Sequence, residues 1–151
     1  MPRDIDDAEI LIRAVTSWHF RNGQLDLALF KDNEKDEMSV SRKQWVSPWL
    51  AKLIAKGRIQ NSHVKPPNIY VGLAFLPTAA VRSLGSIVVD TRAEYLGHAD
   101  ISHGIYKRAP GEAVPAKVAK KINDRAKAIR AASQFVLDPK PGSFMWPASY
   151  K

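Results

Sequence analysis

The run Ile69-Tyr70-Val71-Gly72-Leu73-Ala74-Phe75-Leu76 is apolar on both sides of a two-residue repeat. A strand with two apolar faces belongs inside a sheet that is covered above and below. The chain must therefore supply neighbouring strands and covering helices, and the rest of the sequence contains candidates for both. Met38 to Arg42, Ser86 to Asp90 and Ile101 to Tyr106 read as strands, and Leu25, Leu27 and Leu29 alternate with a period of two after the turn signal Arg21-Asn22-Gly23. Ser47-Pro48 and Gly57 frame a helix, with Trp49, Leu50, Leu53 and Ile54 as its core stripe and Lys52 and Lys56 on the wet side. Pro77 to Leu84 is a short helix. Pro115 to Val136 is a long one, because Val118, Ile122, Ala126, Ile129, Ala132 and Val136 step by three or four.

The segment Asp6 to Trp18 fits two periods. Asp6 and Glu9 have the spacing of a capping box, and Leu11, Val15 and Trp18 would then form one helical stripe. This favours a helix over the competing strand at Ile10 to Val15. The expectation is an α+β domain over residues 1–142, followed by an aromatic tail over 143–151. Its sheet is small, mixed or antiparallel, with four to five strands packed by three to four helices, the longest at the C-terminus.

The size, 151 residues, suits one domain. The absence of cysteine excludes a disulfide framework, a thiolate zinc site and a cysteine nucleophile. No apolar run approaches the roughly 18 residues that span a bilayer, and the acidic beginning lacks a signal-like apolar stretch. A cytoplasmic protein without membrane contact is expected. Its net charge of +8 is segregated, since residues 1–37 sum to −4 and residues 38–151 to +12. Such asymmetry points to a basic face for a polyanion, with the acidic segment at its margin or folded against it.

On the long helix, Lys117, Lys120, Lys121, Lys127 and Arg130 fall on the outward half, with Asp124 among them and Arg125 inside the apolar stripe. Lys107 and Arg108 could join the same field. Cations spaced in this way can follow phosphates, so the leading expectation is a nucleic-acid-binding or assembly module that makes largely sequence-nonspecific contacts. Tyr106 or Trp146 could stack on bases.

A second expectation is a small enzyme acting on a nucleotide or another phosphate-containing substrate. His98 and Asp100 point to one side of an extended segment and His103 to the other, so His98 and Asp100 could act as base and orienting acid. Neither His19 nor His63 completes a recognisable zinc spacing, and neither a metal nor a cofactor is expected. Dinucleotide, P-loop and serine-hydrolase glycine motifs are all absent. The order Arg13, Ser39-Val40-Ser41, then Glu94 or Glu112 resembles that of arginine–serine–glutamate ADP-ribosyltransferases. The likeness covers three scattered positions and lacks their E-x-E spacing. It implies a dinucleotide-holding role for Arg13 and a ribose-steering role for Ser39.

A third expectation is an interaction or regulatory subunit. Phe144, Trp146 and Tyr150 follow a Pro-Gly break and would dock on a protein partner or a second copy, or fold back onto their own domain.

Overall fold

The computed structural model describes residues 4–31, 37–59, 68–105 and 111–147. The elements are β1 (Ile10–Thr16), β2 (Phe20–Arg21), β3 (Gln24–Leu25), β4 (Met38–Arg42), α1 (Pro48–Ile59), β5 (Tyr70–Pro77), α2 (Thr78–Ser83), β6 (Ile87–Asp90), β7 (His98–Ser102), α3 (Ala116–Ala132) and β8 (Gln134–Leu137). Six strands form one antiparallel sheet in the order β6-β7-β4-β1-β5-β8, more strands than the sequence reading allows, while β2 and β3 make a separate two-stranded ribbon. Among the described residues the mixed α+β class, the three α-helices and the long C-terminal helix agree with expectation.

β5 is internal and doubly covered, as its composition requires. One face of the sheet packs Leu11, Val15, Val40, Ala74, Leu76 and Ile101 against Ala126 and Ile129 of α3 and Leu29 and Phe30 of a 3-10 turn at Leu27–Phe30. The other packs Ile12, Leu73 and Phe75 against Ala51 and Ala55 of α1. Gly72 is the position where β8 comes closest, since a Cβ there would strike the Val136 carbonyl and the Phe135 ring.

Several boundaries differ from expectation for identifiable reasons. Asp6 and Glu9 do form the reciprocal local bonds of a cap: the Asp6 N–H donates to Glu9 Oε1 at 3.1 Å and the Ala8 N–H to Asp6 Oδ1 at 2.7 Å. The chain then extends, because Ile10 to Thr16 completes a ladder with β5, and the helix expected there is a strand. The alternating leucines give strand only at Gln24–Leu25; Leu27–Phe30 is the 3-10 turn, capped by the Asp26 carboxylate on the Ala28 N–H at 2.8 Å. The last helix stops at Ala132, so Val136 lies in β8 and not on the helical stripe. Strand β7 begins at His98 and ends at Ser102; the expected extension to Tyr106 lies outside the described residues. In α1 the expected faces hold only in part: Ile54 packs on the core, but Trp49 is 46% exposed and Lys52 is 0% exposed.

Arg42 is wholly buried in the sheet, at its pairing with Leu11. Its guanidinium donates to Glu9 Oε1 at 2.6 Å and Oε2 at 2.8 Å, and to Asp90 Oδ2 at 2.7 Å. It thereby joins the entry to β1 with the end of edge strand β6. Burial alone would raise the Glu9 carboxyl, yet the Arg42 hydrogen bond, helped by the Asp6 N–H, holds it below the usual range. Hydrogen bonds from Arg92 and, against the effect of burial, from Arg42 lower Asp90 to about 2.

Removing one partner of a buried ion cluster costs about 3–5 kcal/mol, because the others keep their charge without compensation. Arg42→Met is expected to lose stability of that order in urea denaturation at neutral pH; a loss under about 1 kcal/mol would contradict the assignment. The carboxylates are depressed in the folded state, so they stabilise above their unfolded values and that contribution falls as pH drops from about 4 toward 2. The gap between wild type and Arg42→Met should narrow across that window.

Candidate functional site

Register places the sequence-selected polar residues side by side. Ser39 pairs with Asp100 and Ser41 with His98, so alternation puts all four side chains on one face of β4 and β7. Ser39 Oγ lies 3.3 Å from Asp100 Oδ1, and His98 Nε2 lies 4.0 Å from the same oxygen. His98 Nδ1 meets Thr91 Oγ1 at 2.6 Å, and the Tyr95 ring packs edge-on against the imidazole at 4.9 Å. Gly97, in the left-handed region at φ 91°, makes the turn that allows this; a Cβ there would strike Val46. His98 is 2% exposed, whereas the Asp100 side chain is 15% exposed. Only Asp100 of this pair reaches the surface; His98 is held inside against Thr91 and Tyr95.

His103 goes elsewhere. Its Nδ1 bonds Ser86 Oγ at 2.6 Å and its Nε2 the Phe30 carbonyl at 3.2 Å, while Arg125 of α3 donates to Ser86 Oγ at 2.9 Å. This network ties α3 to the sheet and explains why Arg125 departs from the outward pattern of its helix.

Beside the Ser39–Ser41 face the sheet opens. β1 and β4 pair only near Leu11–Arg42 and Ile12–Ser41; β1 then follows β5 to Thr16 while β4 follows β7 to Met38. The Arg13 guanidinium bridges the seam, donating from Nε to the Leu29 carbonyl and from Nη1 to the Ser39 carbonyl, both at 2.6 Å. A cavity of about 210 Å³ occupies the seam, with Arg13, Thr16, His19, Ser39, Ser41, Arg58 and Tyr95 as its polar lining. Ser41 Oγ and Tyr95 Oη are 2.7 Å apart, and the Arg58 guanidinium stands 5.5 Å from the centre of the Tyr95 ring. Burial, with help from Arg13 and Arg21 and against Asp26, lowers the His19 pKa. Thr16, His19, Arg58 and Tyr95 were not singled out together by sequence, because Thr16 with His19, Arg58 and Tyr95 come from three separate segments with no common spacing. Arg13 and Ser39 do meet, through the Ser39 backbone. Glu94 and Glu112 are exposed and outside the cavity lining, so the arginine–serine–glutamate order does not assemble into one site.

On α3, Lys117, Lys120, Lys121 and Lys127 are exposed, and Ala126 and Ile129 anchor the opposite side. Lys120 pairs with Asp124 at 2.8 Å, and Arg130 is half-buried, donating to the Leu25 carbonyl at 3.0 Å. Lys107, Arg108 and Tyr106 lie outside the described residues, as do His63 and Tyr150. Among the described residues no cluster of His, Asp and Glu is arranged to hold a metal, and no helix is long and apolar enough to cross a membrane.

The tail folds back through Trp146, which packs beside the core under α1, while Phe144 and Met145 remain exposed. Its clamp is Lys52, whose ammonium pairs with Asp138 at 2.7 Å and donates to the carbonyls of Lys140 at 3.0 Å and Met145 at 2.5 Å. Burial pushes the Tyr70 phenol up, as does its bond to Asp138 at 3.0 Å, so it stays a donor there. Lys52→Met is expected to release the tail and accelerate chymotryptic cleavage after Phe144 several-fold; an unchanged rate would contradict the clamp.

Comparison with family models, with curated proteins and with solved structures finds no match to this chain.

Proposed function

We propose that this protein binds nucleic acid through the outward face of α3, largely without regard to sequence. The observation that carries the reading is that Lys117, Lys120, Lys121 and Lys127 all reach solvent on one helix whose other side is fixed in the core. Asp124 lies among them and engages Lys120, so Lys117, Lys121 and Lys127 are the better phosphate ligands. Each phosphate neutralised releases counterions and contributes about 0.9 to the slope of log affinity against log salt. Arg130, held by a carbonyl, adds field more than contact.

The triple variant Lys117→Gln, Lys121→Gln, Lys127→Gln is expected to weaken binding to duplex DNA or RNA and to flatten the salt slope by about 2–3. Fluorescence anisotropy at several salt concentrations measures both, and an unchanged slope would overturn the reading.

A second reading, a small enzyme acting on a phosphate-containing substrate, is favoured by the convergence of Ser39, Asp100, His98, Ser41 and Tyr95 beside the seam. Asp100 would meet the substrate, with His98 positioning it. If so, incubation with nucleoside phosphates should give products detectable by mass spectrometry, and Asp100→Asn should abolish them. Turnover unaffected by that change would remove the reading.

A further inference from the structure

We propose that the cavity at the β1–β4 seam binds the phosphate monoester of a small sugar phosphate or mononucleotide. This goes beyond polyanion binding on α3; it shares Ser39, Ser41 and Tyr95 with the second reading but requires no catalysis, so it holds or fails by binding alone.

The lining carries the argument. Two arginines, a histidine and four hydroxyl groups face a space of about 210 Å³, and among the described residues no carboxylate lines it. Among the described residues the acids nearby are Asp100, one strand away, which accepts from Ser39, and Asp26, which acts on His19. Around His19, among the described residues, the charged groups are Arg13 on β1, Arg21 on β2 and Asp26 ahead of the 3-10 turn; burial lowers the imidazole most, and the arginines add to it against Asp26. Among the described residues, the charged groups that line the seam are Arg13 and Arg58, with His19 beside them.

Its chemistry fits a phosphate better than a bare carboxylate. A guanidinium offers a planar fork of donors that matches two phosphate oxygens, and Arg58 is held by its stack over Tyr95 at the mouth. The Ser41–Tyr95 contact uses one hydroxyl proton for two hydroxyl oxygens, so the pair retains a donor for a third oxygen. Ile12, Ala14, Val40, Ala51 and Ile54 supply the apolar part of the wall, against which a sugar can lie. The volume is below the roughly 300 Å³ at which drug-sized pockets begin, which suits a phosphate with a pentose.

The seam exists for a physical reason. Once β1 and β4 part, their backbone groups lack each other as partners, and the Arg13 guanidinium serves the Ser39 carbonyl of β4 together with the Leu29 carbonyl of the 3-10 turn. The same substitution of a side chain for a strand ladder puts a positive charge at the floor of the opening.

Isothermal titration calorimetry with ribose 5-phosphate, AMP, ribose and adenosine tests the proposal on the full chain. Ribose 5-phosphate or AMP is expected to bind at least about tenfold tighter than its unphosphorylated counterpart, and Arg58→Gln to remove most of that advantage. Arg58 is exposed on α1, so this variant should fold as wild type, which circular dichroism checks. Lys121→Gln on α3 should leave the titration unchanged, which separates this site from the nucleic-acid face. Tighter binding of AMP than of ribose 5-phosphate would identify a base-bearing ligand, and the reverse a sugar phosphate; either supports the site. Equal affinity for phosphorylated and unphosphorylated forms, or no saturable binding of either phosphate, would overturn it.

Discussion

The buried Arg42 guanidinium sets the geometry on which the rest of the molecule depends. It sits where β1 and β4 pair, and its two carboxylate partners come from the segment before β1 and from the far edge strand β6. The Lys43 N–H bonds the Ile10 carbonyl at 2.9 Å and the Arg42 N–H the Gly97 carbonyl at 2.7 Å, so backbone and side chain fasten the same corner. A charge in the interior is tolerable only with its partners in place, and this fixes the pairing point of β1 and β4 more firmly than apolar packing would. Beyond that point the strands separate, each loyal to its outer neighbour. The seam, the bridging Arg13 and the polar cavity all follow from that separation.

The same logic recurs at the opposite end of the sheet, where Lys52 holds Asp138 and the carbonyls of the tail. Both clusters join residues far apart in the chain. They draw acids and bases inward in matched groups, while the lysines of α3 remain outside. The segregated charge of the sequence is thus resolved in part by folding the acidic N-terminal segment onto Arg42 and Arg82, the latter paired with Asp7 at 2.6 Å.

Local signals were legible where one segment determined its own structure. The doubly apolar β5, the Asn22-Gly23 turn with both residues at positive φ, the Ser47-Pro48 helix start and the inward Met38 and Val40 could all be read from neighbouring residues. What failed depended on distant partners. Lys52 looks like a solvated lysine until Asp138 and the tail reach it, and a capping box at Asp6 looks like a helix until β5 offers a ladder. At the candidate sites, the clustering of His98 with Asp100 and the lysines of α3 were visible from spacing alone. The seam was not, because its lining is created by two strands parting and no residue pattern records a gap.

The two proposed phosphate sites, the outward face of α3 and the seam cavity, can be separated residue by residue. Backbone amide shifts followed by NMR during addition of ribose 5-phosphate, and separately of a short DNA duplex, test it most directly. The account predicts disjoint responses: Thr16, Ser39, Ser41, Arg58 and Tyr95 for the sugar phosphate, and Lys117 to Lys127 for the duplex. A single shared set of perturbed residues, or a sugar phosphate that leaves the seam unmoved, would contradict it.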